Sequence, residues 1–464
     1  MRDERVAPKG WPKEQRYRRS TKVGELHREW SSRVEAHAEF RPQGRKEGSD
    51  YNLHYVDIDS PPEVLIDFDM RSREIEGRHP ERKLRIPDPD PGERFSGALL
   101  SAVVGDALGR AVDTGVAFER SWRPSVMLEK DQALVDYSFR GGPASSSGTS
   151  QLLAFTLEGL IRAHTARRMN PVDADPVPEV HHAYQRWLYT QRVPWGSRGR
   201  WPEWGGPFAA RSPEPDGWLV HTEALFGDRE QDSVTVAALE SFARTGLRPQ
   251  QEGGETAPGG SDAVPRAAMA AVWSNDPEEV FSTAVNIAAL THPNPDDHLP
   301  AATLAVLLHQ QIRDVPFFDC IRNAVGVLRG WPAHEKSEQM MRRAFNMIRE
   351  DWVPAPRERV LEAFNGGGSD GAEALGLAMY CAMASDYVRE AVLLAMNYTA
   401  HRSVVGAISG LLIGAECGVQ AVPRDLSGAL VLGDVVRTLA DDVLVEFSPG
   451  PPTDGAWLRR YPAW

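Results

Sequence analysis

The sequence contains few cysteines, an excess of acidic over basic residues and no obvious targeting segment. Only Cys320, Cys381 and Cys417 occur in 464 residues, and they are far apart. Such a sparse, odd set offers neither a disulfide framework nor a zinc site and is typical of a reducing compartment. The first twenty residues are charged throughout, which argues against a secretory signal. We therefore expect a cytoplasmic protein.

The charge and the hydrophobic pattern exclude two classes of partner. The formal net charge is −13 at pH 7, and a negative protein repels phosphates at long range. No uninterrupted apolar run approaches the roughly 20 residues that a membrane span needs. We therefore expect no nucleic acid and no membrane as partner. A hydrophobic share of 41% is still enough for a sizeable core.

Residues 1–92 differ in composition from the rest of the chain. The first fifty are rich in charged and poor in aliphatic residues, which is typical of a flexible arm. Two short apolar and acidic runs follow, at 51–58 and 64–70. They fit segments that dock on the domain or on a partner as well as they fit an ordinary leader. We predict an N-terminal extension over residues 1–92, which ends in the proline-punctuated linker IPDPDPGERF.

From Phe95 onward, apolar residues recur at i, i+3 and i+4 in one segment after another, as in FSGALLSAVVGDALGRAV. Strand-like alternation is rare, and clusters of glycine and proline separate the helical stretches. The pattern predicts an all-α, compact orthogonal multi-helix domain over residues 93–446. A tail with aromatic anchors is predicted to follow over residues 447–464.

Four stretches of this helical region carry short motifs. They are GALLSAVVGDALGRAVD from Gly97, SGTSQLLAFTLEGLIRA from Ser147, the glycine-rich GGSDAVPRAA with the later Thr291-His292 pair, and NYTAHRSVVGAISGLLIGAECG from Asn397. In this order they resemble the ADP-ribosylglycohydrolase family, over residues from about 95 to 445. The resemblance implies the all-helical fold of that family and a hydrolase that removes ADP-ribose.

The sequence departs from the family at the positions that bind metal. The family is understood to hold two magnesium ions between a Thr-Asp-Asp-Thr loop and an Asp-Thr-Asp-Thr loop. Gly148 and Thr149 stand at the aspartate positions of the first loop, and His401 and Ser403 at those of the second. Magnesium prefers hard oxygen ligands that include carboxylates, and Arg402 adds a positive charge. We therefore expect no metal and no cofactor.

Polar residues at the four motifs are the candidates for function. Asp113 replaces an active-site glutamate of the family, and His401 is a second group suited to acid–base chemistry; a solvated helix end explains Asp113 equally well. Hydroxyls, an arginine and a helix start suit an anionic ligand. We predict catalytic roles for Asp113 and His401. We predict ligand binding by Ser147, Thr149, Ser150, Gly260, Ser261, His292, Arg402 and Ser403.

Two further aspartates and His292 have alternative interpretations. We expect Asp106 to be a buried, hydrogen-bonded structural carboxylate. Asp262 would repel a diphosphate at the glycine-rich loop, unless it caps the helix that follows. His292 is explained about as well by the favourable position of a histidine at a helix C-terminus.

The favoured hypothesis is a family member impaired in magnesium-dependent ADP-ribose removal that acts as a binding or regulatory protein. Its small-molecule partner would be ADP-ribose-like or a nucleotide. Two alternatives stay open. One is a metal-independent glycosidase or hydrolase that uses the same pocket. The other is an immunity or assembly protein that binds a protein partner through its N-terminal extension.

Overall fold

The computed structural model describes residues 89–122, 134–169, 175–195, 214–227, 232–249, 259–351, 354–385 and 387–463. This part contains sixteen α-helices and one two-stranded hairpin, which confirms the all-α fold class. Nearly all of the predicted extension lies outside it. The helices are α1 Pro91–Asp113, α2 Gly148–Met169, α3 Val177–Thr190, α4 Ser233–Thr245, α5 Ala263–Ala267, α6 Pro277–Ala288, α7 Pro295–Ile312, α8 Phe317–Leu328, α9 Glu335–Asp351, α10 Arg357–Ala363, α11 Gly371–Met383, α12 Val388–Tyr398, α13 Arg402–Cys417, α14 Arg424–Ser427, α15 Gly433–Glu446 and α16 Gly455–Arg460.

Helix α1 begins at a capping box and runs through the core. The Asp90 carboxylate accepts from the Glu93 N–H at 2.8 Å, and the Glu93 carboxylate accepts from the Asp90 N–H at 3.0 Å. By length and composition α1 is apolar enough to cross a membrane, although Asp106 and Arg110 interrupt its apolar run. The rest of the domain buries 83% of the most apolar stretch of α1, as expected for the core helix of a globular protein.

Helices α1 and α13 pack antiparallel with their backbones in direct contact. A Cβ atom on Gly105 would lie 2.1 Å from the carbonyl oxygen of Gly406. One on Gly410 would lie 2.3 Å from the carbonyl oxygen of Ser101. Real Cβ atoms do not approach carbonyl oxygens so closely, so only glycine fits at these crossing points. The small residues of the first and fourth motifs are therefore explained by packing.

This contact also brings the end of α1 against the start of α13. A Cβ atom on Gly109 would lie 2.5 Å from the backbone nitrogen of Ser403 and 2.5 Å from the carbonyl carbon of Arg402. The first and fourth motifs are about 300 residues apart in the chain, yet their polar residues thereby come to one end of the helix pair.

A β-hairpin follows α1, with β1 Ala117–Trp122 antiparallel to β2 Leu134–Phe139. The Asn397 side chain at the end of α12 binds the backbone of one strand residue twice. Its Oδ1 accepts from the Val135 N–H at 2.8 Å, and its Nδ2 donates to the Val135 carbonyl oxygen at 2.9 Å. A side chain that mimics a neighbouring strand in this way fixes β2 to the helix that leads into the fourth motif.

The end of the chain packs on α15 through aromatic residues. Tyr461 is fully buried, and its hydroxyl donates to the Asp442 carboxylate at 2.5 Å. The Trp457 indole N–H donates to the buried Glu446 carboxylate at 2.8 Å. These contacts attach α16 to the helical domain.

Candidate functional site

Asp106 joins the first motif to the second. Its Oδ2 accepts from the Ser147 N–H at 3.0 Å, from the Ser150 N–H at 3.1 Å and from the Ser150 hydroxyl at 2.5 Å. The side chain is fully buried, and burial raises the pKa of Asp106 above its ordinary value despite these bonds. The expectation of a buried, hydrogen-bonded carboxylate is confirmed. Asp106 thus orders the loop that begins α2.

The third and fourth motifs reach the same place through Thr149 and Ser403. The Thr149 hydroxyl donates to Oδ1 of Asp262 at 3.5 Å. The Ser403 hydroxyl donates to the backbone carbonyl oxygen of Asp106 at 3.3 Å. Gly148 lies between Ser147 and Thr149 at the start of α2 and has no side chain. All four motifs therefore meet around Asp106.

The glycine-rich loop of the third motif is occupied by a carboxylate of the chain itself. The Gly260 N–H donates to Oδ2 of Asp297 at 3.2 Å, and the Gly371 N–H donates to Oδ1 of the same residue at 3.2 Å. A Cβ atom on Gly260 would lie 3.5 Å from Nε2 of His292. The loop therefore brings His292 of the third motif next to Gly260.

Asp262 does not cap the helix that it precedes. No backbone N–H of α5 donates to its side chain, and α5 is only five residues long. The capping interpretation is therefore wrong. Burial raises the pKa of Asp262 to about 7, the charges of Asp232 and Asp106 add to the rise, and Arg266 opposes it.

Two further candidate functional residues, Asp232 and Arg266, were not predicted from the sequence. Oδ2 of Asp232 lies 3.4 Å from Nε2 of His292 and accepts from the Thr235 N–H at 2.7 Å. Nη2 of Arg266 donates to the hydroxyls of Thr291 at 2.6 Å and Thr235 at 3.0 Å. The available signal for Asp232 was its place as the N-cap of the helix in DSVTVAALE, since aspartate is a preferred N-cap residue.

Burial and neighbouring charges shift the pKa values of His292 and Asp232, which lie next to Arg266. Burial lowers the pKa of His292 to about 3, with a further contribution from Arg266 and an opposing one from Asp232, so the imidazole is neutral near pH 7. Burial disfavours ionisation of Asp232, but the hydrogen bonds from Thr235 and the nearby His292 hold its pKa below the ordinary value. Near these groups Arg266 is the fully buried cation.

The predicted catalytic residue Asp113 is paired with Arg402 of the fourth motif. Nη1 of Arg402 donates to Oδ1 of Asp113 at 2.6 Å, and Nε of Arg402 donates to the Met396 carbonyl oxygen at 2.9 Å. His401 is exposed, and its backbone N–H donates to the Thr399 hydroxyl at 2.8 Å. Where the chain is described, no hydrogen bond or ion pair links the side chains of Asp113 and His401.

The predicted ligand-binding residues divide into buried and accessible ones. Gly260, Arg402 and Ser403 are partly exposed, as is the neighbouring Asp262. The buried ones are Ser147, Thr149, Ser150, Ser261 and His292. A ligand that approaches this end of the helix pair therefore meets the glycine-rich loop, Asp262 and the start of α13 before it meets the buried hydroxyls.

The described ranges contain no group of three or more His, Cys, Asp or Glu side chains placed to hold a metal ion. In the Asp106 carboxylate, Oδ2 accepts three hydrogen bonds, whereas the buried Oδ1 has no hydrogen-bond partner.

The fold and the four meeting motifs define a helical glycohydrolase-like domain. A sequence model of the ADP-ribosylglycohydrolase family matches residues 87–452, and the chain belongs to this family. A solved structure described as an ADP-ribosylglycohydrolase-related protein complex matches with a TM-score of 0.50 and 20% sequence identity. The match covers 77% of this chain and 99% of that chain, and it shows a shared fold. A search of curated proteins finds no match.

Proposed function

We propose that this family member binds a ribose-bearing ligand of the ADP-ribose or nucleotide class without magnesium-dependent hydrolysis, as a binding or regulatory protein. One observation carries the proposal. None of the side chains at the four positions that correspond to the family's metal aspartates is a carboxylate, and the two hydroxyls among them are hydrogen-bonded within the chain.

The side chains at these four positions are not suitable ligands for two magnesium ions. The Thr149 hydroxyl faces Asp262, and the Ser403 hydroxyl faces the Asp106 carbonyl oxygen. His401 offers a nitrogen ligand, whereas magnesium demands oxygen ligands in octahedral geometry. The guanidinium of Arg402 lies between His401 and Ser403 in the sequence and would repel a cation.

The accessible polar groups support a retained binding role. Asp262, Gly260 and Ser403 are partly exposed at the meeting point of the four motifs. A carboxylate, a hydroxyl and backbone groups are the donors and acceptors that recognise sugar hydroxyls. Nearly all of the N-terminal extension lies outside the described part of the chain. Its binding to a protein partner therefore remains a prediction.

The test is hydrolysis by the full chain of an ADP-ribosylated arginine peptide, with chromatography of the released ADP-ribose. We expect no release above the protein-free control in magnesium buffer, together with measurable calorimetric binding of a ribose-bearing ligand. Release that depends on magnesium and disappears with EDTA would overturn the proposal.

A second candidate, metal-independent hydrolysis, is favoured by the contrast between two carboxylates. The pKa of Asp262 is raised to about 7, whereas that of Asp232 lies below its ordinary value. Acid and base roles in one site are set by environments that separate pKa values in this way. Release of ADP-ribose at equal rates in magnesium and in EDTA, lost in Asp262→Asn, would favour this candidate over a binding protein.

A further inference from the structure

We infer that residues 51–58 of the N-terminal extension bind the open edge of β1 as a third, parallel strand of the hairpin. The inference does not depend on the proposed ligand, because it concerns the hairpin after α1 and not the four motifs. It follows from the backbone groups of β1, from the side chains beside them and from the length of chain that joins the two segments.

The backbone groups of alternate β1 residues point away from β2. Val135 of β2 binds Asn397 through both its N–H and its carbonyl oxygen, so these two groups face away from β1. Ser121 is the partner of Val135 in the antiparallel register, and in such a pair the polar backbone groups of both residues point outward. Because the pattern alternates, Glu119 also directs its N–H and carbonyl oxygen to the outer edge of β1.

This outer edge of β1 is exposed. Among the described residues no other strand pairs with β1, and residues 118–121 are all exposed. Phe118 has 47% of its surface exposed, and Val116, just before the strand, has 55%. An exposed edge strand with apolar side chains is a template for pairing with another extended segment. The hairpin therefore has one edge bound by Asn397 and a second edge that suits an added strand.

Residues 51–58 have the sequence pattern of such a strand. The stretch YNLHYVDI is rich in aromatic and β-branched residues, which favour extended structure. Tyr55 and Asp57 are two positions apart and would share one face of a strand, as Phe118 and Arg120 do in β1. The spacing of an aromatic and a charged residue is therefore the same in both segments.

Parallel pairing matches these side chains. With Tyr55 beside Phe118, Asp57 lies beside Arg120, and both aromatic pairs and opposite charges stabilise neighbouring strands. The Arg120 side chain is 61% exposed and donates to Asp136 at 2.8 Å. Because a guanidinium has five N–H donors, it retains donors for a second carboxylate.

The other apolar and acidic run of the extension, residues 64–70, fits this edge less well. With Phe68 beside Phe118, its residues Asp67 and Asp69 would lie on the same face as Glu119. Like charges on neighbouring strands are destabilising. The side chains of β1 therefore favour residues 51–58.

The connection between the two segments suits a parallel strand. Parallel strands are joined by a crossover of a dozen or more residues, commonly a helix, and α1 lies between residue 58 and β1. Helix α1 has 23 residues and is about 34 Å long. The 30 residues 59–88 (88 minus 58) span at most about 100 Å, and a flexible chain of this length spans roughly 30 Å. Because β1 follows Asp113, the bound segment brings the extension to the end of the helix pair where the four motifs meet.

The test is hydrogen–deuterium exchange on the full chain at neutral pH, with fragmentation that resolves the single amides of β1. We expect the Glu119 and Ser121 amides to exchange at least about tenfold more slowly in the unmodified chain than in Val56→Pro, because proline interrupts the added strand. The Phe118 and Arg120 amides face β2, so they should exchange alike in both chains and report that the hairpin is intact.

The matched control is Val23→Pro, which places the same substitution in the extension outside the run and should keep the slow exchange of the two outer amides. Equal exchange of these amides in Val56→Pro and in the unmodified chain would overturn the inference, whether the exchange is fast or slow. Slow exchange that is lost on dilution would also overturn it, because binding within one chain does not depend on protein concentration.

Disulfide formation tests the parallel register. Tyr55→Cys combined with Phe118→Cys should form a disulfide within one chain on mild oxidation, because the two side chains lie side by side. The control combines Tyr55→Cys with Met169→Cys, at an exposed position at the end of α2, and should form none. A disulfide that joins two chains, or equal yields from both pairs, would contradict the assigned strand.

Discussion

Asp262 holds its proton to an unusually high pH, because burial and the charge of Asp232 disfavour its ionised form. The unfolded chain releases the same proton near the ordinary value for aspartate, about 4. Between these limits the folded state binds more protons than the unfolded state, so stability falls as the pH rises. Asp297 contributes in the same direction, but its pKa is raised only to about 6.

We predict that Asp262→Asn flattens the decline of stability with pH. The effect should be clearest between pH 6 and 7, where Asp297 has already ionised and Asp262 has not. The measurement is the thermal midpoint at half-unit steps from pH 5 to 8. Asp434→Asn, at an exposed position, should keep the slope of the unmodified chain. Parallel curves for Asp262→Asn and the unmodified chain would contradict the prediction.

Individual site residues were predictable only where a local pattern marked them. Asp106 lies among the small residues of α1 and was expected to be buried, as it is. Asp232 and Arg266 escaped, because their partners His292 and Thr291 lie far along the chain and no local spacing indicates the pairs. The bond between Arg402 and Asp113 joins residues 289 positions apart, and neither motif alone reveals it.

Among the elements, α1 and α13 depend most on residue size. We predict that Gly105→Ala destabilises the domain by about 1–3 kcal/mol or more, because the new methyl group would meet the Gly406 backbone and not a flexible side chain. The measurement is the thermal midpoint by circular dichroism. Gly326→Ala in α8 is the control: a Cβ atom there meets nothing within 4 Å.

The control should act in the opposite direction. Alanine at an exposed helical position is more favourable than glycine by roughly 0.5–1 kcal/mol, so Gly326→Ala should raise the midpoint slightly. Equal midpoints for Gly105→Ala and the unmodified chain would show that the helix pair can separate without cost.

Element type was predictable for the helices and not for the hairpin. Long apolar periodicity marks α1, α2 and α13. The strands β1 and β2 have six residues each, and they pair with each other in a two-stranded sheet. So short a stretch carries little alternation, and the side chain of Asn397 that supports β2 comes from a helix elsewhere in the sequence.

At the scale of the whole molecule, the absence of carboxylates from the two loops predicts indifference to magnesium. A site saturated at 100 times its dissociation constant would stabilise the fold by about 2.7 kcal/mol, which shifts a thermal midpoint by several degrees. We expect equal midpoints in magnesium and in EDTA at matched ionic strength. A magnesium-dependent rise in the unmodified chain would contradict the proposal that the chain binds no magnesium.

A variant with aspartate restored at all four positions is the informative comparison. It combines Gly148→Asp, Thr149→Asp, His401→Asp and Ser403→Asp. If the two loops retain the arrangement of the family, this variant should acquire a midpoint that rises with magnesium, because carboxylates would then face each other across the site.

The backbone contact between α1 and α13 also has a consequence for synthesis of the chain. Gly105 and Gly406 are 301 positions apart (406 minus 105), and ribosomes add about 5–20 residues per second. For roughly 15–60 s a nascent α1 therefore lacks the neighbour that covers its glycine face. During that interval its apolar surface is open to chaperones and to other nascent chains, and the domain closes only after the fourth motif has emerged.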